Sequence, residues 1–349
     1  MTAEDGARLR ARIVVDPALP DGVLRGIAQA VAETGAPEPT GAAPSGGAPS
    51  GRAPAVGRLV PDRLVPDRAA DAGPLAYVGP ALPAGLRDDP RLVWFHSSNA
   101  GVDAALASAG GGAAWPERVL LTRTVGRMRE RMAQYVLGWV LAECQFVPEY
   151  VAQQAAREWR RLPGELAAGQ LAVVVGAGEI GRAVGAALRA NGIRTAGVSR
   201  SRRAAAEAFD EVLTARELLV GEDDLLGRAR WVVGVLPLTS GTREFFGAEF
   251  FARLRGASFL NIGRGASVDL AALESALTAG QVRSAVLDVL AEEPAPPDAP
   301  CWRLPRTVVT SHSSGVTDDA DVVADFAAAR RALAAGRTPA LTVVPARGY

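Results

Sequence analysis

The chain has no lysine: its 38 basic residues are all arginine. That excludes Schiff-base chemistry and every nicotinamide dehydrogenase mechanism that depends on a lysine amine. Cysteine is almost as scarce. Cys144 and Cys301 lie far apart and outside any paired motif, which leaves neither a disulfide framework nor a zinc site and reads both as buried apolar residues. Histidine occurs only at His96 and His312. Charge of one sign is not in excess, since 38 acidic residues balance the arginines. A nucleic-acid partner or an anionic membrane surface is therefore not indicated. No apolar run is long enough to span a bilayer, and the amino-terminal "MTAEDGARLRARIVV" lacks the basic-then-apolar layout of a signal peptide, so the chain reads as soluble and cytoplasmic.

What is present is a long apolar-rich chain. Its 349 residues, 48% hydrophobic, are enough for two domains with substantial cores. "ARIVV" from Ala11 reads as a buried strand and "PDGVLRGIAQAVAETG" from Pro20 as a helix that Gly35 ends. Residues 36–58 are almost wholly Ala, Pro, Gly and Ser, a composition that cannot bury enough surface to order itself and predicts a flexible insertion. Strands resume at "PLAYVG" and "RLVWFHSS". A helix is expected from Gly126 to about Trp159, with Met128, Met132, Tyr135, Val136, Trp139 and Val140 at helical spacing, kinked or split by Pro148. From Leu171 onward, "LAVVV", "RTAGV", "WVVGV", "ASFLN", "SAVLDVL" and "TVV" alternate with helical segments. That is the pattern of a doubly wound α/β domain, whose ligand sits at the carboxyl ends of the strands.

The first of those strands runs into "GAGEIG", which places Gly176, Gly178 and Gly181 in G-x-G-x-x-G spacing between strand and helix, with Glu179 and Ile180 inside the turn. Such a turn lets backbone N–H groups at a helix amino terminus reach a pyrophosphate, so these residues are candidates for dinucleotide binding. The second strand ends in "SRSRR", where an NAD-preferring site carries an acid. Ser199, Arg200 and Ser201 suit a 2′-phosphate instead, and the expected cofactor is NADPH, with NADH possible. Three later strand ends supply Arg264, then Asp288 with Glu292 and Glu293, then His312. An arginine to hold a carboxylate and polarise a carbonyl, an imidazole to protonate the developing alkoxide and a carboxylate to orient the ring form the set needed to reduce a 2-keto acid.

At these motifs the chain resembles a known family, the D-2-hydroxyacid dehydrogenases. The matching stretches are "VVVGAGEIG", "LPLTSGTREFF", "NIGRGASVD", "LDVLAEEPAPPDAPCW" and "TSHSSG". Within the family it looks most like the NADPH-dependent glyoxylate/hydroxypyruvate reductases of the A type. The resemblance implies two doubly wound parallel-sheet domains, a Rossmann cofactor domain (113–316) inserted into a flavodoxin-like substrate domain (1–112 and 317–349). It implies that Arg264 binds substrate, that His312 is the acid/base and that Glu293, beside Pro294, is its partner. Asp288 would lie near the nicotinamide, and Leu236, Pro237, Ile262 and Gly263 would line the cofactor cleft. The N–H groups of Ala100 and Gly101, in "NAGVD", would receive the substrate carboxylate. The helix from Gly126 would form part of a homodimer interface.

Several letters depart from the family pattern. Its common proline before the histidine is Ser311 here, followed by Ser313 and Ser314; Asn99, Gln134 and Leu290 stand where Gly, Glu and Phe are frequent. The expected reaction is reduction of a small 2-keto acid of the glyoxylate or hydroxypyruvate type to the D-2-hydroxy acid. The alternatives are a pathway-specific dehydrogenase for a bulkier keto acid and a dinucleotide-sensing, corepressor-like binding protein.

Overall fold

The computed structural model describes residues 2–34, 56–58, 73–200, 207–221 and 224–347. The chain divides into two compact units, Met1–Arg127 with Thr317–Tyr349, and Met128–Val316. In the first, β1 (Arg12–Val15), β2 (Val56–Arg58), β3 (Leu75–Gly79), β4 (Leu92–Ser97) and β5 (Leu120–Arg123) form a parallel sheet in the order 2-1-3-4-5. This is the flavodoxin-like order. The second unit is built on β6 (Leu171–Val175), β7 (Arg194–Val198), β8 (Glu211–Leu213), β9 (Trp231–Gly234), β10 (Ala257–Asn261), β11 (Val282–Leu287) and β12 (Thr307–Val309). Its order, 12-11-10-9-6-7-8, reverses direction between β6 and β9, the switch point of a Rossmann sheet.

The continuous apolar letters of these strands follow from burial on both faces. In β6, Val173 and Val175 join one cluster with Phe246, Phe259 and Leu287, while Ala172 and Val174 join the opposite one with Val136, Val184 and Leu188. The first sheet repeats the alternation. Ile13, Val15 and Trp94 pack with Val322 and Phe326 of the returning carboxyl-terminal helix Asp319–Ala334, whereas Val14, Tyr77 and Phe95 pack with Leu106 and Trp115.

Two expectations change, and one helix is added. The first boundary moves from 112/113 to 127/128, because "LLTR" pairs with β4 as the last strand of the first sheet. Val56–Arg58, the last residues of the insertion expected at 36–58, pair with β1 as a strand; residues 36–55 lie outside those described. A helix not read from the sequence, Ala3–Arg10, precedes β1, started by a capping box between Thr2 and Asp5. The helix expected at 126–159 is split, as Pro148 requires, into Met128–Cys144 and Val147–Ala156, with Phe146 left-handed between them.

The 128–144 helix is fixed to the second sheet at its far end. There Glu143 accepts from Arg230 Nη1 and Ser258 Oγ, each at 2.6 Å, and from Trp231 Nε1 at 2.9 Å. Both cysteines are buried and free.

His96, inside the first sheet, is buried between two threonines of the adjacent segment. Thr124 Oγ1 donates to the Ser97 carbonyl (2.9 Å), so it accepts from His96 Nε2 (3.1 Å). Trp94 Nε1 donates to Thr122 Oγ1 (2.8 Å), which in turn donates to Nδ1 (2.7 Å). This directional chain assigns one proton to the ring. Burial correspondingly pushes the imidazole pKa down to about 3, below the usual 6.5. Between those values the unfolded chain binds the extra proton, so stability falls as pH falls from about 6.5 toward 3. Thermal unfolding followed from pH 7 to pH 4 is expected to show a steeper loss in the wild type than in His96→Gln. Identical pH dependence in the two proteins contradicts the buried neutral imidazole.

Candidate active site

Because all strands of the second sheet run parallel, their carboxyl ends meet at one edge, and the candidate residues follow from which strand each one ends. β6 ends at the glycine turn. Gly176 is left-handed at φ 114°, and a Cβ there would lie 2.5 Å from the Val235 carbonyl oxygen. A Cβ on Gly181 would lie 2.0 Å from the Gly176 carbonyl oxygen, so the helix packs this closely on the turn only with glycine. Gly178 differs: a Cβ there meets nothing within 4 Å, and the residue caps the amino terminus of the Glu179–Ala190 helix. Open space over a capped helix terminus, with Glu179 and Ile180 in its first turn, is a cradle that fits a dinucleotide pyrophosphate.

The turn is joined to the next strand through its backbone. Gly176 N and Ala177 N both donate to the Val198 carbonyl, at 3.0 and 2.9 Å, immediately before Ser199 and Arg200. Ser201 lies outside the described residues. After β9, Val235 N donates to Val175, which sets Leu236 and Pro237 beside the glycine turn. Gly263 approaches Leu236 so closely that a Cβ would come within 2.7 Å of its backbone N and O.

Arg264 follows β10 in a turn clamped by Asn261, a wholly buried residue. Its Nδ2 donates to the Arg264 carbonyl (3.1 Å) and its Oδ1 accepts from Gly263 N (3.2 Å), while Ser267 Oγ donates to the same carbonyl (2.6 Å). The guanidinium, partly buried, donates from Nη1 to the Gly263 carbonyl at 2.9 Å.

After β11 comes Asp288, buried at the edge of the sheet. Its backbone carbonyl accepts from His312 N (2.6 Å). Its carboxylate accepts from Thr310 Oγ1 (2.7 Å), from Ser313 N (2.8 Å) and from Ser314 N at both oxygens (3.1 Å). The side chain expected to lie near a nicotinamide thus holds the histidine turn. That turn needs holding: Ser311 and His312 are consecutive left-handed residues, at φ 55° and 56°. Each such non-glycine residue costs about 1–2 kcal/mol.

Held this way, His312 Nδ1 lies 2.7 Å from Glu293 Oε2, and the other oxygen of Glu293 accepts from Leu290 N at 2.7 Å. Glu293, and not Glu292, is the partner. With a carboxylate on Nδ1, that nitrogen carries a proton and Nε2 is the one left to exchange with a substrate. In the first unit, described separately, Ala100 and Gly101 lie on the loop after β4. Asn99 N donates to Ser97 Oγ (3.2 Å) and Arg123 Nη1 donates to the Ala100 carbonyl (3.2 Å) on that loop.

The family described as D-isomer specific 2-hydroxyacid dehydrogenase, NAD binding domain, matches residues 137–314. The chain belongs to this family. Among its relatives, an uncharacterized protein of Streptomyces coelicolor is 54% identical over 80% of the chain and 98% of that protein. Glyoxylate/hydroxypyruvate reductase A of Salmonella paratyphi B is 31% identical over 74% of the chain and 82% of the Salmonella protein. A crystal structure of NADPH-dependent glyoxylate/hydroxypyruvate reductase from Sinorhizobium meliloti, in complex with NADP and sulfate, superposes with TM-score 0.75. It is 28% identical and covers 97% of this chain and 100% of its own.

The candidate site includes residues that motif reading missed. Asn261 was signalled by an amide among the apolar letters of "ASFLNIG", and Thr310 by the hydroxyl that precedes the serines. Ser311 acquires a specific meaning. Proline, locked near φ −65°, cannot adopt the left-handed backbone found here. Ser311→Pro is therefore expected to lower kcat at least tenfold. Ser311→Gly should leave both kcat and Tm close to wild type, since the relieved strain of about 1 kcal/mol is offset by glycine's entropy of about the same size. A fully active proline variant refutes the left-handed turn.

Proposed function

We propose that this dehydrogenase reduces a small 2-keto acid of the glyoxylate or hydroxypyruvate type to the D-2-hydroxy acid, with NADPH as its preferred cofactor. The observation that carries this reading is the 2.7 Å contact between His312 and Glu293, on the sheet edge that also bears Arg264 and the glycine turn. Bound NADPH supplies the hydride that reduces the substrate carbonyl carbon. His312 delivers the proton from Nε2 to the carbonyl oxygen, and Glu293 orients the ring through its contact with Nδ1. Arg264 holds the carboxylate and polarises the carbonyl with its planar guanidinium, and the N–H groups of Ala100 and Gly101 receive the carboxylate. Gly176, Gly178 and Gly181, with the amides of Glu179 and Ile180, take the pyrophosphate. Leu236, Pro237, Ile262 and Gly263 line the cofactor cleft.

The preference for NADPH rests on the sequence Ser199, Arg200 and Ser201, which supplies hydroxyls and a guanidinium in the stretch where an NAD-preferring chain carries an acid that would repel a 2′-phosphate. The NADP-bound Sinorhizobium relative supports it. Initial rates over a panel of 2-keto acids with NADPH and NADH test the whole proposal. Turnover of glyoxylate or hydroxypyruvate with NADPH is expected, falling about 10²-fold or more in His312→Gln because the proton donor is gone. Absence of turnover with every acid refutes the reaction, and a preference for NADH refutes the cofactor assignment.

The protein also acts as a homodimer in our reading. The helices Met128–Cys144 and Val147–Ala156 expose Leu141, Val147, Tyr150 and Val151, and a groove of about 480 Å³ runs between Tyr135, Trp139, Val147 and Val308. An exposed apolar face of this kind fits a second copy better than water. Light scattering on the eluting protein is expected to give a dimer that Val151→Glu dissociates; a monomeric wild type contradicts it. No helix among the described residues is long and apolar enough to cross a membrane.

A further inference from the structure

The turn that presents His312 is held at one point that none of the catalytic roles above uses. Tyr135, on the 128–144 helix, brings its hydroxyl to 2.6 Å from Thr310 Oγ1. Thr310 Oγ1 is 2.7 Å from Asp288 Oδ1. A carboxylate only accepts and a threonine hydroxyl has one proton, so Thr310 donates to Asp288 and must accept from Tyr135. The result is a directional column from Tyr135 through Thr310 to Asp288. The Oδ1 at its end also takes the Ser313 and Ser314 amides.

The column is placed where the backbone strain is. Thr310 precedes the left-handed pair Ser311 and His312, and Ser313 and Ser314 follow it, so Asp288 grips the turn on both sides. Tyr135 is the outermost member and is carried by a helix that Glu143 ties to the sheet from below. Burial pushes its phenol up to about 12, so it remains a proton donor at every working pH. Loss of its hydroxyl removes the donor that fixes the Thr310 rotamer, while the ring stays in place.

We propose that Tyr135 is a positioning residue for the reaction, acting through Thr310 and Asp288 to fix the turn that aims His312. This rests on the reading of His312 as the acid/base. Misplacement of a reacting group by about 1 Å costs up to about 10²-fold in rate, so a partly loosened turn is expected to cost roughly tenfold.

The test compares Tyr135→Phe, Thr310→Val, Thr310→Ser and the double variant Y135F/T310V. Tyr135→Phe is expected to lower kcat roughly tenfold with KM for NADPH and Tm unchanged. The double variant should be no slower than Thr310→Val, because Tyr135 acts only through Thr310. Thr310→Ser, which keeps the hydroxyl, should restore most of the rate. A second readout does not need turnover. The chain has two histidines, so the imidazole Cε1–H correlation spectrum holds two signals, assigned by His312→Gln. Tyr135→Phe should move the His312 signal and leave that of His96 in place. Wild-type kcat with an unmoved His312 signal overturns the inference, as does an additive loss in the double variant. If no keto acid is turned over by the wild type, the proposed reaction fails by itself and the imidazole signal still decides the role of Tyr135.

Discussion

A buried carboxylate is tolerated only where donors surround it, and Asp288 obtains its donors from one short segment. A threonine hydroxyl and two serine amides satisfy the side chain, and its own carbonyl takes the histidine amide. The same contacts that make Asp288 affordable in the interior give residues 310–314 their shape. Ser311 and His312 occupy a conformation their side chains disfavour, and the surrounding hydrogen bonds over-determine it. The imidazole then meets Glu293 without either partner being buried, which leaves the pair open to exchange protons.

Asp288 can do this because of sheet topology. Parallel β10, β11 and β12 end side by side, so the residue after β11 lies between the Arg264 turn and the His312 turn. Asp288 N donates to the Asn261 carbonyl, and Asn261 clamps the arginine turn, so the arginine turn and the histidine turn share one backbone connection. Neither sits on an isolated loop. The glycine turn is joined to the same edge by the close approach of Gly176 to Val235 and of Gly263 to Leu236.

Much of this was legible in the letters. Strands covered on both faces must be apolar throughout, which is why β6, β9 and β10 could be read directly, and a G-x-G-x-x-G between strand and helix has few other uses. Arg264, Glu293 and His312 could be singled out as candidates because each follows a readable strand. What escaped was short or hydrogen-bonded. β2 and β8 have three residues each, too few for a period, and β2 adjoins a stretch of Pro, Gly and Ala. "LLTR" gave no alternation by which to assign it to the first sheet, and that misplaced the domain boundary. Ala3–Arg10 buries only Gly6 and Leu9, so its hydrophobic signal is faint and only the Thr2–Asp5 cap marked it. The part played by Tyr135, Thr310 and Asn261 depends on proton direction between residues far apart in the chain, and spacing carries no trace of it.

Apart from its two imidazoles, every basic side chain in the sequence is a guanidinium. Small aldehydes such as glyoxylate condense with ε-amines to form imines. A chain without lysine has no such amine along its whole length. An enzyme of this composition can stand in a high concentration of a reactive aldehyde acid without its side-chain amines being capped, because it has none to lose.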